Sequence, residues 1–324
     1  MRVLVTGGAG YIGSVVSARL LERGYDVTVL DNLTAGHRRA IPAGARFVHA
    51  DLAEGAMLPH LLDEERVEAV MHFAANIKVG ESMRMPMRYL GDNVRNALNL
   101  LDAVTTVGLK RFIFSSTAAL FAPSDSPIGE GDTIEPASPY GESKLMIEQA
   151  LRWLDATTGL RYAALRYFNA AGAWGNLGED HRPESHLIPV VLKVALGENG
   201  KVGIFGDDYP TSDGTCVRDY IHVVDLADAH IACLGALEQG SRAYNLGNGR
   251  GFSVMEVVEV ARRVTGHPIE AEVLPRRPGD SPWLVADSSR IREELGWSPQ
   301  MPDLETIVAT AWEWHRQHPR GYEE

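Results

Sequence analysis

Tyr140 and Lys144 stand four residues apart in Ser138-Pro139-Tyr140-Gly141-Glu142-Ser143-Lys144, a spacing suited to acid–base chemistry. Pro139 is a natural first-turn residue, so the pair opens a helix, with both side chains on one of its faces. A phenol ordinarily titrates near ~10, too high for a base at neutral pH. A nearby ammonium and the positive end of a helix both favour the phenolate. A hydroxyl partner should come from an upstream apolar run, Phe112-Ile113-Phe114-Ser115-Ser116-Thr117, which offers three candidates. Such a hydroxyl can donate to a substrate oxygen or relay its proton. Alone, Tyr-x-x-x-Lys is more often a surface pair; its weight comes from the residues that precede it.

Those residues open the chain. Arg2 to Thr6 is a short apolar run, followed by Gly7-Gly8-Ala9-Gly10-Tyr11-Ile12-Gly13, a helical pattern, and a second apolar run, Asp26 to Leu30, ending in Asp31. This reads as strand, glycine turn, helix, strand, acid: a dinucleotide fingerprint. Both Gly8/Gly10/Gly13 and Gly7/Gly10/Gly13 fit recognised spacings. Glycines permit the tight turn and close backbone approach to a pyrophosphate, which a helix N-terminus also attracts. Asp31 is placed to accept from a ribose diol and would repel a 2′-phosphate, so NAD is expected rather than NADP. Asp51 follows the third apolar run, and His72-Phe73-Ala74-Ala75 ends the fourth with small residues suited to a close-lying cofactor.

The elements that must position these groups alternate. Strands are expected at Val3–Val5, Val27–Leu30, Arg46–His49, Ala69–His72, Arg111–Ser115 and Tyr162–Arg166, with helices around Ile12–Arg23, Met57–Glu64, Arg88–Val107 and Gly141–Thr157. The alternation predicts an α/β fold, a Rossmann-type doubly wound parallel sheet. From about Trp174, Gly, Pro, Asp and Thr become frequent, which predicts a smaller α/β substrate-binding part rich in loops. Residues 1–172 are expected to form the NAD-binding domain and 173–324 the ligand-binding one, with segments near 218–246 returning to the first. Later expected elements are helices over Asp225–Leu237, Val254–Thr265, Ser289–Leu295 and Leu304–Gln317, and a strand at Ala243–Leu246.

Composition narrows the partners. The 324 residues are 45% hydrophobic and 23% charged, with net charge −12 and no long basic cluster, so no nucleic-acid partner is expected. An anionic ligand would need a few specific arginines. Cys216 and Cys233 lack metal-ligand spacing and read as reduced thiols; no metal site is expected. The chain starts directly on a core strand and no apolar stretch approaches the ~20 residues of a bilayer span, so a cytoplasmic protein without membrane contact is expected.

Taken together, the motifs resemble the UDP-glucose 4-epimerase family of extended short-chain dehydrogenases. The resemblance runs through Thr6–Gly13, Leu30-Asp31-Asn32-Leu33, Phe114–Thr117, Tyr140–Lys144, Arg166-Tyr167-Phe168-Asn169, Phe205-Gly206-Asp207-Asp208-Tyr209, Val217-Arg218-Asp219-Tyr220-Ile221-His222, Tyr244-Asn245-Leu246-Gly247 and Arg276-Arg277-Pro278-Gly279-Asp280. It implies that Tyr140 is the base, that Thr117 is the catalytic hydroxyl, and that Lys144 tunes the tyrosine and anchors the nicotinamide ribose. It places NAD against Gly7, Gly10, Tyr11, Ile12, Gly13, Asp31, Asn32, Asp51, Leu52, Phe73, Ala74, Ala75, Asn93, Ser115 and Tyr167. A UDP-sugar is implied at Asn169, His186, Leu187, Phe205, Arg218, Arg277, Asp280 and Leu284.

The implied activity is 4-epimerisation of a UDP-hexose through a transient 4-keto sugar, with NAD tightly bound and regenerated in each turnover. A homodimer joined through the helices around Arg88–Val107 and Gly141–Thr157 is also implied. Three positions depart from the pattern. Lys78 falls one place late for a cofactor contact. Leu120-Phe121-Ala122 replaces a usual Val-Tyr-Gly. Leu284 is intermediate in size where the family uses an aromatic residue to exclude N-acetyl sugars or a small one to admit them.

Among rivals, a 4,6-dehydratase needs carboxylates after Thr117, where Ala118 and Ala119 stand. UDP-N-acetylhexosamine or UDP-uronate 4-epimerases would differ at few pocket positions. A non-catalytic NAD sensor would not require the intact Tyr140 and Lys144.

Overall fold

Strand and helix alternate from the start: β1 (Arg2–Thr6), α1 (Tyr11–Glu22), β2 (Asp26–Asp31), β3 (Arg46–His49), α2 (Leu58–Glu64), β4 (Ala69–His72), the short α3 (Val79–Ser82), α4 (Val94–Thr106), β5 (Arg111–Ser115), α5 (Pro139–Thr158) and β6 (Arg161–Tyr167). There follow β7 (Asn169–Ala171), α6 (Leu187–Ala195), β8 (Val202–Phe205), β9 (Val217–His222), α7 (Val223–Ala236), β10 (Arg242–Leu246) and β11 (Gly251–Ser253). The chain closes with α8 (Val254–Thr265), β12 (Ala271–Leu274), β13 (Trp283–Leu284), α9 (Ser289–Leu295) and α10 (Leu304–Gln317). This computed structural model describes residues 1–324 other than Asn199, Pro278, Gly279 and Glu324, so part of the Arg276–Asp280 motif lies outside the described residues.

Seven strands form one parallel sheet in the order β10-β6-β5-β4-β1-β2-β3. The inner strands are nearly continuous apolar runs because both faces are covered. Val3 and Val5 of β1 point into one core with Val27, Val29, Met71 and Ile113, packed by α1 and α7. Their neighbour Leu4 points the other way, into a second core with Leu30, Val70, Phe112 and Phe114 under α2, α4 and α5. Strand order reverses between β1 and β4, and loops leaving the two strands diverge there. In such sheets ligands bind at that point.

A smaller four-stranded sheet has β9 at its centre, with β11 antiparallel to it and β7 and β13 parallel. A parallel pair, β8 and β12, lies apart. Helices α6, α8 and α10 enclose a third core around Tyr220 and Phe252. Of the segment 218–246, then, α7 and β10 join the large sheet while Val217–His222 belongs to the smaller one. The part of that stretch that does not return is β9, which finds its hydrogen-bonding partners in β7, β11 and β13.

The expected single helix over Arg88–Val107 also differs. Arg88–Asn93 is a π-helical turn preceding α4. The wider turn carries Asn93 inward, where its amide accepts from Asn76 N (2.8 Å) and donates to Asn76 O (3.0 Å) and Ser143 Oγ (3.2 Å). Such turns often sit at functional sites.

Asp219 ties the smaller sheet together. It is fully buried, and its carboxylate accepts from Asn248 N (2.8 Å), Gly249 N (3.0 Å) and Ala286 N (3.1 Å). Burial raises its pKa to about 6 against the pull of those three N–H groups. Asp219→Ala strands all three donors in the interior, each worth about 1–3 kcal/mol when unpaired. Urea unfolding should show a loss of about 3 kcal/mol or more, with a smaller loss for Asp219→Asn, which keeps one acceptor oxygen.

Candidate active site

One cleft of about 1590 Å³ runs from the strand-order reversal to the smaller sheet. Its floor at β1 is built by absent side chains. Gly7 has φ +73°, and a Cβ there would come within 2.5 Å of Ala74 N in the loop after β4. A Cβ on Gly13 would lie 2.3 Å from Gly7 O. Gly10 caps α1 with no side-chain hydrogen bond, which leaves the first N–H groups of the helix to an anion. Gly8 instead packs against Val29, 2.8 Å from its Cγ1 to a notional Cβ, and does not line the cleft. The Gly7/Gly10/Gly13 spacing is therefore the one that forms the cradle.

Asp31 ends β2 at the cleft, almost fully buried. Its carboxylate accepts from Ala9 N (3.0 Å) and Leu33 N (2.8 Å), while burial pushes its pKa up. Asn32 donates to Asp51 Oδ2 at 2.8 Å, joining the ends of β2 and β3 beside Leu52. A bare glycine turn, an uncapped helix N-terminus and a buried acid one strand away fit a dinucleotide. Phe73, Ala74, Ala75 and Asn93 continue the same wall.

The three candidate hydroxyls after β5 separate cleanly. Ser115 Oγ hydrogen-bonds the Tyr167 hydroxyl, Ser116 Oγ donates to Glu148 Oε1 at 2.5 Å, and Thr117 Oγ1, which accepts from Ala119 N at 3.1 Å, lies beside the Tyr140 phenol. Only Thr117 reaches the tyrosine, and that meeting depends on Gly141. A Cβ on Gly141 would sit 2.3 Å from Ala119 O, so only glycine lets α5 press against the Thr117–Leu120 loop. Ser138 caps the helix by accepting from Gly141 N at 3.2 Å, and Pro139 opens its first turn, as expected from the sequence.

Lys144 behaves differently from the sequence expectation. Of the residues that the resemblance places in the site, Lys144 alone does not line the cleft. It lies behind Tyr140, 2% exposed, donating to Ser115 O at 2.8 Å, with Nζ 5.9 Å from the Tyr140 ring centroid. Burial pushes its ammonium down to about 7, opposed by the charge of Glu148. Burial also raises the Tyr140 phenol, and the Thr117 hydroxyl beside it opposes that shift. In this state the phenol is therefore protonated at neutral pH; Lys144 does not by itself make a phenolate.

A polar network beneath the site was not foreseen. Arg166 of β6 donates Nε to Glu148 Oε1 (3.0 Å) and Nη2 to Oε2 (2.6 Å), a two-pronged buried pair one helical turn beyond Lys144. Arg166 also lies over the Phe121 ring at 5.3 Å, so the phenylalanine in Leu120-Phe121-Ala122 serves as a packing surface. The loop keeps its place through Ala122 N to Thr133 O and Glu135 N to Leu120 O. The sequence signal was Glu148 at i+4 from Lys144, which periodicity alone does not distinguish from an exposed acid.

The far wall carries Asn169, Leu187, Phe205, Arg218, Arg277, Asp280 and Leu284. Arg218 donates to Val217 O (2.9 Å) and Ser281 O (2.8 Å), while Asp280 lies at 3.5 Å, the limit of a hydrogen bond. The backbone carbonyls therefore do most to orient it. The Arg277 guanidinium sits 3.6 Å over the Phe205 ring. Two cations and an aromatic face on one wall suit an anionic ligand with a planar ring. Asn169 donates its amide to Asp219 O at 2.9 Å. His186 engages Glu179, which raises its pKa to about 9 against burial, and Lys78, left unassigned from sequence, donates to Arg182 O at 3.3 Å.

A model of the NAD dependent epimerase/dehydratase family matches residues 3–247. The chain belongs to that family. Its relatives include a UDP-glucose 4-epimerase of Halalkalibacterium halodurans, 52% identical over 327 residues that cover 99% of this chain and 98% of the relative. A crystal structure of a UDP-glucose 4-epimerase superposes with a TM-score of 0.97 at 50% identity, covering all of both chains. The Bifidobacterium longum enzyme of that name, solved with NAD+ and UDP, gives 0.94 at 38% identity over 99% of this chain and all of the other. Family membership carries the doubly wound fold and NAD as the cofactor.

The buried charges make a direct prediction. Lys144 should lose its proton near pH 7 in the cofactor-free protein, because burial disfavours the cation. Glu148→Gln removes the opposing negative charge and should lower that value further. Heteronuclear NMR of isotope-labelled lysine, assigned by loss of the signal in Lys144→Met, reads both; a resonance titrating near 10 would contradict the assignment.

Proposed function

We propose that the chain catalyses NAD-dependent 4-epimerisation of a UDP-hexose, interconverting UDP-glucose and UDP-galactose. The observation that carries this reading is the Thr117–Tyr140 pair, set between the glycine cradle and the Arg218/Arg277 wall in one cleft. Relatives about half identical along their whole length carry the UDP-glucose 4-epimerase name, which supports the same reading.

Gly7, Gly10, Tyr11, Ile12 and Gly13 would hold the pyrophosphate of NAD and Asp31 its adenosine ribose. When bound, NAD supplies a hydride acceptor and donor at sugar carbon 4. Tyr140 takes the proton of the 4-hydroxyl, Thr117 holds that oxygen and relays the proton, and Lys144 with Ser115 fixes the tyrosine's end of the cleft. Arg218 and Arg277 pair with the diphosphate, and Phe205 and Leu187 flank the uracil. Firm hold on UDP and few polar contacts on the sugar allow a 4-keto sugar to turn and present its opposite face. Residues 1–172, with the later α7 and β10, serve the cofactor; the rest of 173–324 serves the nucleotide sugar.

Leu284 favours a second substrate class. It lies on the cleft wall, half-buried, and a leucine there leaves more room than an aromatic ring. Turnover of UDP-N-acetylglucosamine at a lower rate than UDP-glucose follows from that space.

We also infer a cytoplasmic homodimer. Leu98 of α4 and Met146 and Trp153 of α5 are exposed, Trp153 by 65%, and together they leave an apolar face on adjacent helices. Among the described residues no helix is long and apolar enough to cross a membrane.

Purified protein incubated with UDP-glucose and no added NAD should yield UDP-galactose, and Tyr140→Phe should lower kcat by about 10²–10⁴-fold while NAD stays bound. Conversion of only UDP-N-acetylhexosamines or UDP-uronates would replace the substrate assignment; NAD binding with no turnover of any nucleotide sugar would remove the enzymatic one. For assembly, light scattering should give a dimer, and Trp153→Glu should shift it to monomer with the folded core intact.

A further inference from the structure

Glu179, His181, Glu184 and His186 fall within eight residues as two Glu-x-His pairs, Glu179-Asp180-His181 and Glu184-Ser185-His186. The connecting chain folds back so that one donor atom from each lies within 4.8 Å of all the others. His181 Nδ1 is 3.1 Å from Glu179 Oε1 and 3.9 Å from Glu184 Oε2, and His186 Nδ1 hydrogen-bonds Glu179. We propose that this cluster is a binding site for a divalent transition cation of the zinc class.

The two carboxylates carry the case. The side chains of Glu179 and Glu184 are only 5% and 4% exposed, and the two buried carboxylates share one imidazole, His186, whose Nδ1 hydrogen-bonds Glu179 and lies 3.7 Å from Glu184 Oε1. Buried charge is costly unless paired. Glu184 Oε1 accepts from Ser185 N (2.6 Å) and His186 N (2.9 Å), but Oε2 is buried and has no hydrogen-bond partner. His181 Nδ1 is likewise buried and unpartnered, since its contact with Glu179 is close but out of line for a hydrogen bond. Two orphaned donor atoms, one nitrogen and one oxygen, thus face the same point. The nearby cations are committed in part elsewhere: Lys78 donates to Arg182 O, and Arg182 and His37 pair with Asp180.

Donor chemistry selects the ion. Two imidazoles with two carboxylates suit zinc and its neighbours over magnesium or calcium, which take all-oxygen shells. Zinc bonds of about 2.0–2.2 Å place tetrahedral donors about 3.3–3.6 Å apart, so donors now as far as 4.8 Å apart would draw together by about an ångström while the hydrogen-bonded His186–Glu179 pair would open. All four ligands come from the protein, so the site is closed and its role structural. The metal would brace the segment that lines the cleft just before α6. It takes no part in the hydride chemistry, and the proposal stands apart from the substrate assignment.

Full-length protein equilibrated with zinc sulfate and freed of excess should retain one zinc per chain by plasma mass spectrometry. Glu184→Gln and His181→Ala should each weaken retention by roughly tenfold or more. Cobalt(II) added to the parent protein should give the intense visible bands of a four-coordinate ion, a readout that needs no variant to fold. Equal zinc retention by parent and variants, or only the pale spectrum of solvated cobalt, overturns the site.

Discussion

Backbone touching backbone at the carboxyl ends of the strands is the constraint on which the site depends. Gly7 meets Ala74, Gly13 meets Gly7 and Gly141 meets Ala119, each at a distance where a single methyl group would collide. The first two contacts open a bare floor for phosphates at the reversal of strand order. The third seats α5 against the loop after β5. Without it Tyr140 and Thr117 would not come together, however well each residue was chosen. The chemistry of the cleft is thus set by places where side chains are missing as much as by those present.

Beneath that surface the protein accepts unfavourable electrostatics. Lys144, Glu148 and Arg166 are all buried, and one carboxylate stands between two cations. A buried group shifts toward its neutral form unless a partner holds the charge. Arg166 holds the carboxylate with both prongs of its guanidinium, and burial drops the Lys144 ammonium to about 7. Tyr140 moves in the opposite direction for the same reason. The resting pair is therefore a neutral phenol beside a lysine that readily gives up its proton, and further positive charge in the cleft would draw the phenol toward ionisation.

Much of this was legible in the sequence because it is written in local pattern. The strands of the large sheet are continuous apolar runs, and Pro139 after Ser138 marks the start of α5 as plainly as any helix signal can. The pairing of Tyr140 with Lys144 followed from residue type and spacing. Residue type alone does not choose among Ser115, Ser116 and Thr117, which lie at one strand end and differ only in their partners; the family resemblance pointed to Thr117. The strands of the smaller sheet were also hidden: β7, β11 and β13 have two or three residues each, too few for a period of two to show. Glu148 with Arg166 and the Glu-x-His pairs were missed for a related reason. Burial gives a polar residue its meaning, and burial of a polar residue leaves no mark on hydropathy.

Tyr11 joins the first turn of α1 to a distant part of the chain, its hydroxyl donating to Gly172 O at 2.6 Å, while His37 contacts Asp180. The segment leading out of the large sheet, whose Glu179, His181 and Arg182 line the cleft, is thereby tied to the start of α1 and to the loop after β2. The two sides of the cleft are thus held together by contacts that need no ligand to form.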